Sequence, residues 1–347
     1  MNTEFAAIPM RRVGPIRLAG PEVEGEATVP LATFETPLWP SVARGARVTA
    51  AAGGIRVVVV DERMARSILL EAPDAPAAAA AAADLRARRE EIAAVVAGTG
   101  RFARLVGWHD QVVGPLLFLR LEISTGDAAG HNMVTKAAEA VEAWVRGRHP
   151  ALAHVSVSGN YCCDKKASAV NGILGRGRYA IAEAVLPGDL CRTRLRAEPE
   201  AIARLNVRKN LIGGALAGSV RTANAHFANM LLAFYLATGQ DAANIVEGSQ
   251  GIVHADARDD ALRFSCTLPN LVVGTVGRGK DAPWVRENLR ALGCLEPRAP
   301  GANARRLAAI AAATVLCGEL SLLAALTNEG ELMRAHLRLE RAGGAPA

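Results

Sequence analysis

The spacing of apolar residues along the chain predicts a mixture of strands and helices. Over residues 119–124 (LRLEIS) apolar and polar side chains alternate, which predicts a strand with one solvated face. From Met133 onward the apolar positions recur every three or four residues, which predicts a helix. A second helical stripe runs from Phe227 to Tyr235, and Gly239 ends it. The alternating order of strands and helices over roughly residues 67–157 indicates a compact α+β domain.

Other segments have clear signals for where a strand or helix begins and ends. Residues 11–72 predict short strands and turns, in which Gly53 and Gly54 break the β-branched runs of ARVTAAAGGIRVVVVDE. One helix is predicted from about residue 76 to 97, because Asp74 can cap it and Gly98 can end it. RFSCTLPNLVVGTVGRGK predicts β structure, and NARRLAAIAAATVLCGELSLLAALTNEG predicts the last long helix.

Length and composition indicate a globular protein of two domains. The 347 residues exceed one typical core. Half of them are hydrophobic and 21% are charged, as in ordinary globular proteins and unlike disordered ones. Aromatic residues make up only 4%, so we expect a core built mainly from alanine, valine and leucine.

Charge and cysteine content limit the partners and the compartment. The net charge of +6 admits an acidic ligand, but lysine and arginine are spread along the chain, so nucleic-acid binding is not expected. No window approaches 18 uncharged apolar residues, and the N-terminus lacks a signal-peptide core, so we expect no membrane span. The six cysteines lack C-x-x-C spacing, which indicates a reducing cytoplasm. Four histidines lack metal-ligand spacing, so no metal is expected: His109, His149, His154 and His254.

The stretch SGNYCCDKK, residues 158–166, is the most informative local pattern. Asp164, Lys165 and Lys166 follow directly after apolar and small residues that predict a strand and a turn. One interpretation is an exposed, solvated turn. The other is the rim of a pocket that holds an anion.

Several motifs in the same order resemble the class I branch of the hydroxymethylglutaryl-CoA reductase family. SGNYCCDKK resembles the family's SGNYCTDKK, and STGDAAGHNM resembles its TGDAMGMNM. NLIGGALAGS, NAHFAN, GQDAAN, CTLP, GTVGRG and GELSLLAAL have counterparts too. The resemblance covers roughly residues 10–340. It implies reduction of a CoA thioester, 3-hydroxy-3-methylglutaryl-CoA, to mevalonate and free CoA by two hydride transfers.

The family's site residues are carried over by motif. The resemblance implies four catalytic residues: Glu35 in ATFET, Lys165 in DKK, Asp241 in GQDAA and His336 in RAHLR. It implies six substrate-binding residues: Arg66, Ser158, Asp164, Lys166, Lys209 and Asn229. With a substrate carboxylate and an oxyanion to face, the paired lysines of SGNYCCDKK are no longer expected to form a solvated turn.

Each implied catalytic residue has a chemical role. A fixed ammonium beside a developing oxyanion is worth about 3–4 kcal/mol, and Lys165 fits that role. A carboxyl group donates a proton at neutral pH only when burial or a like charge raises its pKa. Glu35, in the apolar stretch VPLATFETPLWP, is the candidate acid, and Asp241 would link it to Lys165. His336 would protonate the departing CoA thiolate.

The implied cofactor is NADPH, with NADH possible. The motif STGDAAGHNM is a glycine-containing turn that leads into a helix, where free N–H groups suit a pyrophosphate. It is not the G-x-G-x-x-G fingerprint of a Rossmann fold. Arg101 would bind the 2′-phosphate of NADPH beside Phe102. The remaining implied cofactor-binding residues are Asp127, Ala128, Gly130, Asn132, Met133, Gly277 and Gly279.

The resemblance also implies an architecture. We expect an α+β fold with a large helix-rich CoA-ester-binding domain, residues 1–66 and 158–347, that ends in a mobile C-terminal tail. An inserted ferredoxin-like α+β cofactor domain is expected at residues 67–157. Active sites between subunits imply a homo-oligomer, either a dimer or a tetramer.

The chain departs from the family pattern at several positions. MNTEFAAIP lacks the ENVIG-like stretch used in subunit contacts, ETPLWPS changes the segment after Glu35, and His131 replaces a hydrophobic residue. Arg278 replaces a glycine, and Ala342 stands where animal members carry a regulatory serine. No membrane anchor is expected. Two alternatives stay open: a reductase of the same fold for a different acyl-CoA, and a non-catalytic CoA-ester-binding homologue.

Overall fold

The computed structural model describes residues 4, 6–331, 333–334 and 337. The strands are β1 (Met10–Ala19), β2 (Gly25–Ala32), β3 (Ile55–Glu71), β4 (Arg104–Val113), β5 (Leu116–Ser124), β6 (Ala153–Val157), β7 (Gly177–Pro187), β8 (Ile252–Arg258) and β9 (Ala261–Leu271). The helices are α1 (Leu38–Ala51), α2 (Ala75–Arg86), α3 (Arg89–Gly98), α4 (His131–Arg148), α5 (Ala169–Leu174), α6 (Gly188–Leu190), α7 (Pro199–Leu205), α8 (Gly214–Leu216), α9 (Phe227–Ala237), α10 (Ile245–Gly248), α11 (Pro283–Ala291) and α12 (Ala302–Leu326). Residues 191–195 and 206–213 are π-helical, and residues 242–244 form a 3₁₀ turn.

Strand β3 belongs to two sheets. Its first half, up to Arg63, pairs with β1 and β7 in a sheet of order β2-β1-β3-β7-β9-β8. Its second half, from Met64, pairs with β5 and β6, and β4 extends this sheet beyond β5. The second sheet therefore has the order β4-β5-β3-β6, with all neighbours antiparallel.

The larger core packs α1, α9 and α12 against the first sheet. At the α1–α12 crossing, a Cβ on Gly45 would lie 2.0 Å from the carbonyl oxygen of Cys317, so only glycine allows this approach. In the described part of the chain, α12 alone is long and apolar enough to cross a membrane, but 94% of its apolar window is buried in the protein. The helix therefore behaves as the core helix of a folded protein.

The smaller core lies between the second sheet and helices α2, α3 and α4. Asp74 caps α2 as predicted, because its carboxylate accepts a hydrogen bond from the backbone N–H of Ala77 at 2.8 Å. The predicted helix over 76–97 is wrong in one respect: it is divided into α2 and α3 around Arg88, whose φ of −118° leaves the helical region. Arg88 and Arg148 both bind Asp84 at this break.

Two other local predictions need correction. Residues 38–51 form α1, where the sequence predicted strands and turns, because Leu38, Val42 and Ala46 repeat at helical spacing behind Pro37. The face of β5 predicted to be solvated is buried, since Arg120 and Glu122 are almost fully covered. These two side chains form an ion pair, and Arg120 also donates to the Gly175 carbonyl at 2.7 Å. Burial lowers the pKa of Arg120 to about 10.

Candidate active site

The site is built around residues 158–166, which we call the lysine loop. The loop leaves β6 through Gly159, whose N–H donates to the Ser67 carbonyl at 3.0 Å. A Cβ on Gly159 would lie 2.9 Å from the Leu69 side chain, so the loop starts in close contact with β3. Asn160, Cys163 and Lys165 have positive φ angles of 61°, 42° and 58°. Three non-glycine residues in this rare conformation indicate a loop held in place by its surroundings.

Lys165 and Asp241 form the central contact of the site. The Lys165 Nζ lies 2.7 Å from Asp241 Oδ2, and both side chains remain partly open to solvent, at 42% and 45% exposure. The hydrogen bond to Asp241 raises the pKa of Lys165 above its ordinary value. Partial burial is the largest single influence on Asp241 and opposes its ionisation, but the hydrogen bonds from Lys165 and Ala243, together with the charge of Lys165, lower the pKa of that carboxyl. The ammonium and the carboxylate therefore hold each other in the charged state.

A buried ion pair contacts the lysine loop and supports it. Arg176 and Glu247 are fully buried, and Arg176 Nη1 lies 2.8 Å from Glu247 Oε1 and 3.0 Å from Asp164 Oδ1. Glu247 Oε1 also accepts from the backbone N–H of Lys165 at 3.3 Å and from Asn244 at 2.8 Å. Burial raises the pKa of Glu247, and Arg176 opposes that effect. The sequence analysis missed both members of this pair, whose only signal was a charge inside an apolar segment.

Arg66 and His131 approach the same loop from the second sheet and from α4. Arg66 Nη1 lies 3.9 Å from Asp164 Oδ2, and Arg66 Nε donates to Thr135 at 3.0 Å. His131 Nε2 lies 3.9 Å from Asp164 Oδ1 and has no hydrogen-bond partner among the described residues. Burial, reinforced by Arg176, lowers the pKa of His131. The structure thus brings Arg66 and Asp164 to Lys165 and Asp241, and it places His131 beside them.

The other predicted residues of the lysine loop have local contacts. The Ser158 hydroxyl lies 3.2 Å from the Cys162 thiol. Lys166 is exposed, and its ammonium donates to the carbonyl of Asp164 at 3.1 Å. Lys166 is therefore open to a ligand, whereas Ser158 is half-buried.

Lys209 and Asn229 lie in a second cluster that includes a buried carboxylate. Asn229 Nδ2 is 3.5 Å from His226 Nδ1, and His226 Nε2 contacts the Gly318 carbonyl at 3.1 Å. Glu319, fully buried on α12, accepts hydrogen bonds from the backbone N–H groups of Ala225 and His226. Burial raises the pKa of Glu319 to about 7, while the two backbone donors and the charge of Lys209 act in the opposite direction. The sequence motif GELSLLAAL contained Glu319, but nothing in the pattern indicated its burial.

Glu35 does not join Lys165 and Asp241 within this single chain. It is exposed between β2 and α1, next to Phe34, which is 73% exposed. No hydrogen bond or ion pair in the described ranges connects its carboxylate to either residue. The expected convergence of three groups is therefore present only for the Lys165–Asp241 half. His336 and Ala342 lie outside the described residues.

The STGDAAGHNM motif, residues 124–133, forms the turn that enters α4. Gly130 has a φ of 100°, and a Cβ there would lie 2.4 Å from the Thr125 side chain, so the turn requires glycine. Asn132 is exposed at the start of the helix, with Met133 half-buried beside it. Asp127 has a structural use, since its carboxylate accepts from the N–H groups of Gly301 and Ala304 at the start of α12.

Two further predicted segments flank this turn. The Arg101 guanidinium lies 5.0 Å from the centre of the Phe102 ring, and that ring packs against Gly126. On the other side, Ala128 forms a β-bridge with Val276, just before Gly277. Gly277 and Gly279 both have positive φ angles, as a tight turn requires. The predicted cofactor residues are thereby collected around the N-terminus of α4.

The cationic side chains of the site suit the binding of anions. Among the described residues, no group of three or more histidine, cysteine, aspartate or glutamate side chains could hold a metal ion. Lys165 presents an ammonium at an open surface, and Arg66 adds a guanidinium nearby. Such groups stabilise a carboxylate or an oxyanion.

Comparisons with known proteins point to one family. A family model described as hydroxymethylglutaryl-coenzyme A reductase matches residues 5–341. The 3-hydroxy-3-methylglutaryl-coenzyme A reductase of Aeropyrum pernix is 44% identical over 338 residues, covering 97% of this chain and 80% of that protein. The protein of the same name from Pyrococcus horikoshii is 43% identical, covering 96% and 81%. A class II reductase structure from Streptococcus pneumoniae, bound to NADPH in open conformations, shares the fold with a TM-score of 0.74 at 19% identity, covering 94% and 86%.

Proposed function

The chain belongs to the hydroxymethylglutaryl-coenzyme A reductase family, and from that premise we propose how its residues perform the reaction. It is an oxidoreductase that reduces 3-hydroxy-3-methylglutaryl-CoA to mevalonate and free CoA. NADPH supplies the hydride in each of the two steps. The observation that carries the proposal is the 2.7 Å contact between Lys165 and Asp241 at the open edge of the lysine loop.

Lys165 stabilises the negative charge that develops on the carbonyl oxygen in each reduction. A preorganised charge of this kind is worth about 3–4 kcal/mol of transition-state stabilisation. Because Asp241 raises the pKa of Lys165, the ammonium stays protonated at neutral pH. Asp241 is itself fixed, since its second oxygen accepts from the backbone N–H of Ala243 at 3.1 Å.

The substrate carboxylate binds on the cationic side of the lysine loop. Arg66 donates one nitrogen to Thr135, and a second nitrogen lies 3.9 Å from Asp164, so its guanidinium faces the lysine loop. Lys166 and Ser158 offer a second ammonium and a hydroxyl from the same loop. Lys209 and Asn229 complete the set from the second cluster. His336 protonates the departing CoA thiolate, because CoA leaves more readily as a thiol than as a thiolate.

Glu35 completes the proton supply from a second subunit. Its carboxylate is exposed beside the exposed Phe34, and a single chain does not bring it to Lys165. Phenylalanine is enriched at protein–protein interfaces, which supports a subunit contact at Phe34. We therefore propose a homo-oligomer whose active sites form between subunits, with Glu35 donating to the oxyanion across the interface.

The residues around the start of α4 fit a dinucleotide. α4 is 18 residues long and begins directly after Gly130, and the free N–H groups of its first turn suit a pyrophosphate. Arg101, held over Phe102, would bind the 2′-phosphate and favour NADPH over NADH. Asn132 and Met133 would contact the nicotinamide side, and Gly277 is open, since a Cβ there would meet nothing within 4 Å. Asp127 is expected to act through its backbone, because its carboxylate caps α12.

The cofactor side forms an inserted ferredoxin-like domain at residues 67–157. Support comes from the chain order β-α-β-β-α-β and from the sheet order β4-β5-β3-β6, which is that of a split βαβ unit. This unit has its own apolar core. A cytoplasmic location is proposed as well, and the free state of all six cysteines supports it.

The departure ETPLWPS is accounted for by packing, which weakens the alternative of a different acyl-CoA substrate. Trp39 is buried and donates its ring N–H to the Leu31 carbonyl at 2.8 Å, and Pro37 precedes the first turn of α1. The Arg11 guanidinium covers the Trp39 ring at 4.7 Å. These changes anchor α1 and do not by themselves alter the lysine loop.

The decisive experiment gives the purified protein the CoA thioester with NADPH or NADH and follows loss of the reduced cofactor. We expect two cofactor molecules oxidised per thiol released, with mevalonate as the product and NADPH as the better donor. A panel of other acyl-CoA esters tests the alternative reductase. Cofactor oxidation with another ester and none with this one would overturn the substrate, and no oxidation with any ester would indicate a binding protein.

A further inference from the structure

Lysine is rare in this chain, since only five of its 40 lysine and arginine residues are lysines. Lys165, Lys166 and Lys209 belong to the substrate site, and Lys136 is exposed on α4. The fifth, Lys280, is only 7% exposed and has no role in the proposed function. Lysine carries its charge on a compact ammonium and arginine on a planar guanidinium, so the two are not interchangeable at a buried position.

Lys280 ends the glycine turn, residues 274–280, which lies against the aspartate turn, residues 238–241. The Lys280 ammonium donates a hydrogen bond to the carbonyl of Gly239. At the other end of the turn, the Gln240 amide donates to the Gly274 carbonyl at 3.1 Å and accepts from the Gly274 N–H at 2.9 Å. A Cβ on Gly239 would lie 2.8 Å from the Gly279 carbonyl. Hydrogen bonds therefore join the two turns at both ends of the glycine turn. Asp241 is the last residue of the aspartate turn.

The glycine turn also contacts the STGDAAGHNM motif. The Thr275 N–H donates to the Asp127 carbonyl at 2.8 Å, and Val276 bridges Ala128. A Cβ on Gly274 would lie 2.3 Å from the backbone nitrogen of Ala129. The turn thus links the start of α4 to the carboxylate that binds Lys165.

We propose that Lys280 is a positioning residue of the reductase site, whose ammonium fixes the aspartate turn so that Asp241 meets Lys165. The catalytic meaning of this contact rests on the proposed function, while the contact itself does not. Asp241 is the charged group that faces Lys280 from the aspartate turn, and α11 contributes the methyl groups of Val285 against Gly239. Carbonyl and carboxylate together compensate an ammonium that burial would otherwise disfavour.

The ionisation of Lys280 supplies a test of this role. Burial lowers the pKa of Lys280 to about 8, although the charge of Asp241 acts in the opposite direction. Above that pH the side chain becomes neutral, and its hydrogen bond to Gly239 loses the contribution of charge. The aspartate turn is then less firmly held, so turnover declines on the alkaline side.

The first measurement follows the lysine side chains by NMR in isotope-labelled protein. Five lysines give five signals, and the signal missing from Lys280→Met belongs to Lys280. We expect this signal to titrate with a midpoint at about 8 in the wild type and at a lower pH in Asp241→Asn. A midpoint that Asp241→Asn leaves unchanged would overturn the proposal. This result does not depend on activity, so it remains decisive if the CoA thioester is not the substrate.

The second measurement is the pH profile of turnover. Loss of one charge-assisted contact predicts a fall in kcat of about tenfold or more for Lys280→Met, with little change in KM for the thioester. The alkaline decline near pH 8 should be absent from this variant. Lys136→Met, on the exposed face of α4, serves as the matched control and should follow the wild type. A Lys280→Met profile that coincides with the wild-type profile would contradict the positioning role.

Discussion

Glu319 predicts a specific pH dependence of stability. Its carboxylate is fully buried on α12 and supports the backbone of residues 225–226, which leads into the helix that carries Asn229. Burial moves its pKa from the ordinary value of 4.5 to about 7. Because the folded state holds this proton more tightly than the unfolded chain, the associated stability is complete below pH 4.5 and is lost as the pH rises through about 7.

The size of the effect follows from the displacement of the pKa. At about 1.4 kcal/mol for each pH unit, a change from 4.5 to about 7 corresponds to roughly 3 kcal/mol. In the variant Glu319→Gln the side chain cannot ionise, so this contribution is absent. The free energy of unfolding of the wild type, minus that of the variant, should therefore fall by roughly 3 kcal/mol between pH 4.5 and 8.

The assay is urea unfolding at a fixed protein concentration and at several pH values. Taking the difference between the two proteins removes the contribution of other titrating groups, including the buried Glu247. The constant cost of an amide among donors built for a carboxylate shifts the difference but does not change its slope. A difference that stays flat across this pH range would refute the reasoning, since Glu319 would then be ionised throughout.

Three further predictions concern the lysine loop. Lys165→Met should lower kcat by about 100-fold or more, while Lys165→Arg should recover little, because a planar guanidinium cannot place its charge as an ammonium does; a kcat of Lys165→Met within a few-fold of the wild type would contradict the oxyanion role. Arg176→Met leaves Glu247 buried without its cation and should cost about 3–5 kcal/mol in urea unfolding, with exposed Arg258→Met as control; a loss below about 1 kcal/mol would contradict the buried pair. Since burial lowers the pKa of His131 from 6.5, the wild type should lose stability relative to His131→Met as the pH falls below 6.5; parallel pH curves would contradict it.

Elements with a strong local pattern were predicted correctly. The apolar face of α9 and the strand β5 repeat at periods that burial requires, so their type follows from the sequence alone. Asp74 caps α2 through atoms only three residues apart. The lysine loop was identified from its residues because an aspartate and two lysines after an apolar strand are locally unusual.

The rest depends on contacts between distant segments. Arg176 meets Glu247, 71 residues later, so neither charge shows on its own that it will be buried. The second face of β5 looked solvated because Arg120 and Glu122 are charged, but the segment around Gly175 covers them. In the proposed oligomer, the place of Glu35 depends on a second subunit. Sequence therefore predicts which groups are available, and packing decides which of them share a ligand.

The course of β3 has a consequence for motion between the two sheets. One uninterrupted strand of 17 residues carries the first sheet into the second, and Arg66 lies just past the crossing at Arg63 and Met64. A strand resists stretching much more than it resists twisting. The length of chain between the two sheets is therefore fixed, and we expect relative motion of the sheets to be a rotation about the axis of β3.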